Sequence, residues 1–210
     1  MRKLIVLSFI TLDGVMQAPG GPEEDTAGGF RLGGWSAGYF DDKVGKVMDE
    51  QLGRPFDLLL GRRTYDIFAA FWPKQNDETA HAINGATKYV VTHRPVSLDW
   101  ETTIPIKGDV VEKIRKLKAE NGPELQVHGS GNLIQTMLKH GLVDELWLKT
   151  FPVVLGTGRH LFAEGTGPVG WQLLDSQVSP SGVIMASYGR AGEVKLGSFI
   201  QSGEIRLDEA

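Results

Sequence analysis

The sequence predicts an α/β protein with a mixed, mostly parallel central sheet, helices on both of its faces, and an antiparallel C-terminal hairpin. Three observations predict it. Short runs of branched apolar residues alternate with helical periodicity through the middle of the chain. Glycine turns end two of those runs where helices begin, and the last third reads as strands. A chain of 210 residues, 41% hydrophobic and 23% charged, is enough for one well-buried domain.

Leu4 to Leu12 is a buried strand ending at the turn signal Asp13-Gly14. Residues 18–34, APGGPEEDTAGGFRLGG, hold too much glycine and proline for a regular element and form a long loop, with a lid as one reading and a surface excursion as the other. A helix is expected over Tyr39 to Leu52, with Val44, Val47, Met48 and Leu52 on one face. Phe56 to Leu60 is a strand closed by Gly61. The helix Arg62 to Phe71 follows until Pro73 stops it, and Lys88 to Val91 is the next strand. Asp109 caps a helix that Asn121-Gly122-Pro123 ends. The stretch LQVHGSGNLIQTMLKHG then gives a strand, a glycine turn and a helix stopping at Gly141. Glu145 to Leu155, Trp171 to Val178 and Val183 to Tyr188 read as strands, the last two joined by Ser179-Pro180-Ser181-Gly182. Residues 1–188 are taken as the domain. Residues 189–210 form an extension, with strand-like runs at Val194–Leu196 and Ile205–Leu207 and an expected role at a dimer contact.

Charge and composition exclude several functions. A formal net charge of −4 gives no general attraction to nucleic acid or an anionic membrane, so neither is an expected partner. The absence of cysteine removes disulfides, thiol nucleophiles and thiolate metal sites, and fits a cytoplasmic location. The five histidines show no metal-ligand spacing, no metal is expected, and no GxSxG elbow suggests a serine hydrolase.

The glycine turns are where chemistry is expected. In a parallel sheet the carboxyl ends of the strands share one side and ligands bind there. Gly61-Arg62-Arg63-Thr64 and Gly129-Ser130-Gly131-Asn132 each open a helix at such an end, where free N–H groups and the positive end of the dipole suit phosphate. Arg62, Arg63, His93 and Arg94 gather positive charge beside them in an otherwise acidic chain. Taken alone, GSG is only a tight turn, and it lacks both the full GxGxxG fingerprint and a P-loop lysine. Two such turns and the Thr92-His93-Arg94 run together point to a nucleotide site.

The segments SFITLDGVM, LLLGRRTYDIF, KYVVTHR and LQVHGSGNLIQTMLKHGLVDELWLKTFPVVLGTGRHLF stand in one order over residues 3–188. In them the chain resembles the dihydrofolate reductase-like fold. It resembles more closely the reductase domain of the bifunctional deaminase-reductase of riboflavin biosynthesis and its stand-alone bacterial relatives. The resemblance implies NADPH as hydride donor, a small-molecule substrate and a homodimer. It places Gly129, Ser130, Gly131 and Asn132 at the pyrophosphate, Arg62 beside the ribose 2′-phosphate, the N–H groups of Arg63 and Thr64 at the pyrophosphate, and Thr92, His93 and Arg94 in the loop closing on the 2′-phosphate. On the substrate side it points to Asp41 as the catalytic carboxylate, with Asp13 and Trp35 as neighbours. Asp41 lies one position later than the family spacing from the tryptophan, which argues against folate. Each of the three has a structural alternative: a helix N-terminus for Asp41, the Asp13-Gly14 bend for Asp13, and a packing anchor for Trp35. The deaminase zinc signature is absent from this sequence. An NADPH-dependent reductase of a pterin-like or ribosylated pyrimidine-like compound is the expected function, and a dinucleotide-binding module without turnover is the alternative.

Overall fold

The computed structural model describes residues 1–93 and 98–198. Strand β1 (Leu4–Thr11) is buried at all but one position. That fits a central strand with helices over both faces, and explains its near-continuous apolar run. The chain continues through α1 (Asp42–Leu52), β2 (Phe56–Gly61), α2 (Arg62–Phe71), α3 (Glu78–Gly85), β3 (Lys88–Val91), β4 (Thr103–Ile106), α4 (Val110–Ala119), β5 (Glu124–Val127), α5 (Gly131–Lys139), β6 (Glu145–Phe151), β7 (Gly170–Val178) and β8 (Ile184–Gly192). They form one eight-stranded sheet in the order β4-β3-β2-β5-β1-β6-β8-β7. Pairing is parallel from β4 to β6, and β8 pairs antiparallel with both β6 and β7.

Strand periodicity sends neighbours to opposite faces. Leu58 and Leu60 pack with Leu52, Tyr65, Ile83 and Val90 under α1, α2 and α3, whereas Leu59 packs with Ile114, Leu117, Ile134 and Met137 of α4 and α5. Right-handed crossovers produce this split. The connections β1–β2 and β2–β3 run toward the β4 edge, while β4–β5 and β5–β6 run the other way. The chain therefore diverges between the carboxyl ends of β2 and β5, and such a switch point leaves a crevice.

Several elements differ from expectation. The first helix starts at Asp42, because Ala37–Tyr39 forms a 3-10 turn and Asp41 takes the cap. Helix α3, between Pro73 and Lys88, and strand β4, between Val91 and Asp109, fall where the sequence suggests no regular element. Glu78–Gly85 buries just Ala80 and Ile83, which leaves little periodicity to see. Strand β4 carries Pro105 on the sheet edge, where a missing N–H is tolerated. Strand β6 ends at Phe151, before Pro152, rather than at Leu155. Strand β8 crosses the expected boundary at residue 188, with Arg190 opposite Trp171 and Gly192 opposite Gly170. Val194–Leu196 has no strand structure, and Ile205–Leu207 lies outside the described residues.

Candidate functional site

Two glycine-ended strands meet at the switch point through one hydroxyl. Ser130 Oγ accepts the Gly61 N–H at 2.7 Å and donates to Thr64 Oγ1 at 2.7 Å. A Cβ on Gly61 would stand 2.8 Å from Ser130 Cβ and Oγ, so only glycine allows this approach. On the other side Gly129 has φ +104° and Ser130 φ +74°. A serine held in the left-handed region stores of order 1 kcal/mol, as residues at ligand sites often do.

The helix starts differ in a telling way. Asp41, Asp77 and Asp109 cap α1, α3 and α4 by accepting the N–H of Val44, Ala80 and Glu112. Helices α2 and α5 have Gly61 and Ser130 at the cap position and no side-chain cap. Their N–H groups stay available on either side of the Ser130 bridge.

These starts open on a cleft of about 1070 Å³. Gly61, Arg62, Arg63, Thr64, His93, Gly129, Ser130, Gly131 and Asn132 all line it, so three segments distant in sequence gather at one cleft. Thr92 is buried outside the lining, its N–H bonded to Ile106 O at 3.2 Å. Arg94 lies outside the described residues. Arg62 is held by Asp66, Nε to Oδ1 at 2.8 Å, and lies 5.8 Å from the centre of the Tyr65 ring. Its Nη1 is the one buried side-chain polar atom among the described residues without a hydrogen-bond partner. A buried guanidinium N–H left open is costly unless a ligand completes it. Arg63 pairs with Asp25 at 3.1 Å, and Asp25 pairs also with Arg159, so the glycine-rich loop is tied across the cleft.

The three expected substrate contacts stand elsewhere, since none of Asp13, Trp35 and Asp41 lines the cleft. Asp41 accepts the N–H of Val44 and of Ser181, both at 3.0 Å. Those bonds, the first above all, hold its carboxyl down to about 2. Asp13 accepts from the Thr11 hydroxyl and from the N–H groups of Gly156 and Leu155, and is likewise held at about 2. Trp35 is buried, donates its ring N–H to Gln17 O at 2.8 Å and packs edge-on to Phe151. These contacts tie all three into the scaffold: Asp41 to the β7–β8 turn, Asp13 to the turn after β6, and Trp35 to Gln17 and Phe151. A carboxyl whose folded pKa is depressed adds stability that is present above its unfolded value, near 4, and is lost as pH falls toward the folded one. Melting followed between pH 5 and 2 should therefore fall less steeply for Asp41→Asn than for the parent, from a lower starting point; parallel curves would contradict the cap.

Two further groups line the cleft: His128, which its place beside Gly129 marks as a core residue or cofactor neighbour rather than a metal ligand, and Lys149, which is not singled out from sequence. Lys149 of β6 is buried, lines the cleft and donates to Gln51 Oε1 of α1. Burial lowers its ammonium to about 7. His128 lies 2.9 Å from Gln126 Oε1 through Nε2; burial foremost, then the Lys149 charge, pushes its ring down to about 3. The available signal was Lys149 itself, a lysine at a buried position of the apolar strand ELWLKTF. Among the described residues no group of three or more His, Asp or Glu could hold a metal, and no helix is long and apolar enough to cross a membrane.

A family model, the RibD C-terminal domain, matches residues 2–185. The chain belongs to that family. This RibD C-terminal domain protein is 27% identical over 192 residues to YyaP of Bacillus subtilis (strain 168), covering 89% of this chain and 94% of YyaP. A solved structure of a putative riboflavin biosynthesis protein from Shewanella sp. PV-4 superposes with a TM-score of 0.69 at 24% identity, covering 90% of this chain and 98% of that one. Dihydrofolate reductase from Enterococcus faecalis, solved with NADP(H), gives a TM-score of 0.57 at 15% identity, covering 90% and 96%. The fold is thus of the dihydrofolate reductase type.

Proposed function

We propose that this chain is an NADPH-dependent reductase of a small heterocyclic or conjugated compound. The observation that carries the reading is the pair of uncapped helix starts joined through Ser130 and flanked by the open Nη1 of Arg62. That set fits a dinucleotide phosphate: N–H groups for the pyrophosphate, glycines for close approach, and a guanidinium for the 2′-phosphate. Gly61 to Thr64 and Gly129 to Asn132 would hold the phosphates, with Arg62 and His93 beside the ribose. When bound, the nicotinamide supplies the hydride. Phe9, Met16 and Met48 give the remaining space apolar walls that exclude water from the reacting groups. Family membership and the fold of the NADP(H)-bound reductase support the same reading.

The test separates the two nicotinamide cofactors. Arg62→Ala should weaken NADPH about 10- to 100-fold, the worth of one charge-assisted hydrogen bond pair, and leave NADH nearly unchanged. Isothermal titration of both cofactors against both proteins decides it. Equal weakening of both would remove Arg62 from 2′-phosphate recognition.

A further inference from the structure

The cleft also holds a charge that the dinucleotide turns do not explain. Lys149 is 2% exposed, between Phe9 of β1 and Met185 of β8 in the sheet register. Its ammonium donates to Gln51 Oε1. Among the described residues it forms no ion pair with a carboxylate. The titratable group near it, just past the end of β5, is His128, whose ring burial keeps neutral. Met48 and Gln51 of α1 and Phe9 of β1 line the cleft beside it, and none carries charge. A buried cation without a counter-charge is costly, so such a group is poised either to give up its proton or to meet an anionic partner.

Resting on the reductase reading of this cleft, we propose that Lys149, steadied by Gln51, meets the carbonyl oxygen of the substrate, a planar conjugated carbonyl compound. A bound reduced nicotinamide would supply the hydride, its C–H bond breaking and its ring becoming oxidised as a C–H bond forms at the carbonyl carbon and the C=O π pair moves onto oxygen. Lys149 gives that oxygen a proton, forming O–H, and is reprotonated from water. A cation in an apolar wall stabilises the developing oxyanion more than it would in water. Its lowered pKa, about 7, also suits a donor working at neutral pH.

The site can be probed without the natural substrate. 4-Nitrophenol, a planar ring whose phenolate absorbs visible light, is titrated into the full chain with and without NADPH. 4-Nitroanisole, which has no ionisable oxygen, is the control. Wild type should bind the phenolate and lower the pH at which bound nitrophenol ionises. Lys149→Met should weaken phenolate binding about tenfold or more and leave nitroanisole unaffected, as loss of a charged hydrogen bond requires. Lys149→Arg, which keeps the cation, should retain the preference for phenolate. Equal binding by wild type and Lys149→Met, equal binding of nitrophenol and nitroanisole, or no nitrophenol binding by wild type would each overturn the assignment. Should Lys149→Met fail to fold, the wild-type comparison of the two probes still decides. An NADPH-induced rise in melting temperature is read in parallel. Its absence would sink the reductase reading and the reduction step with it, while the phenolate result would still decide whether Lys149 receives an oxyanion.

Discussion

Gly61→Val is expected to abolish dinucleotide binding and to lower stability by about 3 kcal/mol, overpacking and a lost hydrogen bond acting together. The new Cβ would meet Ser130 Cβ and Oγ at 2.8 Å, and those atoms belong to a residue already held at φ +74° by the turn. Relief requires moving the two helix starts apart, which breaks the Gly61 N–H to Ser130 bond and displaces the N–H groups meant for phosphate. A displacement near 1 Å in such a site costs about 100-fold. Gly85→Ala is the control: its Cβ would meet nothing within 4 Å, so folding and binding should be unchanged. Denaturant melts and NADPH titrations on the two variants check the prediction. A Gly61→Val protein that binds NADPH like the parent would mean the turns do not form the phosphate site.

Arg2→Ala should cost about 3–5 kcal/mol, the loss expected when one partner of a buried ion pair is removed. Arg2 is 4% exposed; it pairs with Asp57, donates from Nε to Pro123 O at 2.6 Å and lies 5.6 Å from the centre of the Tyr89 ring. Removing it strands the Asp57 carboxylate, whose remaining donor is the Thr87 N–H at 3.2 Å. This cluster sits at the amino ends of β1, β2 and β5, opposite the cleft. The variant should therefore bind NADPH normally below its lowered melting temperature. The double variant Arg2→Met, Asp57→Leu should recover much of the loss, because no charge is left unpaired. Urea unfolding of the single and double variants measures both. A double variant no more stable than the single one would contradict the account.

The fold was legible where local signals agree with tertiary structure. Arg62 to Phe71 and Lys88 to Val91 read correctly because a branched strand, a glycine and an amphipathic helix each carry their own mark. Helix α3 and strand β4 left weak marks, since one buries only two side chains and the other contains a proline that the sheet edge excuses. The two glycine turns were visible as glycines ending apolar strands. That Ser130 joins them was not, because the bond spans 69 residues. Asp41 shows the ambiguity of a local signal: an aspartate near a helix start can be a cap or a substrate contact, and the N–H groups of Val44 and Ser181 that establish the cap come from two segments far apart in sequence. The Asp25 clasp on Arg63 and Arg159 has no sequence signal, because it pairs charges from three distant segments. Lys149 was visible only as a misfit in an apolar strand, and its meaning needed Gln51 and the cleft around it.

The central claim is that the two uncapped helix starts and Arg62 form a site for a 2′-phosphorylated dinucleotide. A titration of the purified chain with NADPH and with NADH, read by tryptophan emission and by melting temperature, tests it most directly. The account predicts saturable NADPH binding that raises the melting temperature, with NADH weaker by about tenfold or more for want of the phosphate that Arg62 meets. Binding of neither cofactor, or equal binding of both, would contradict it.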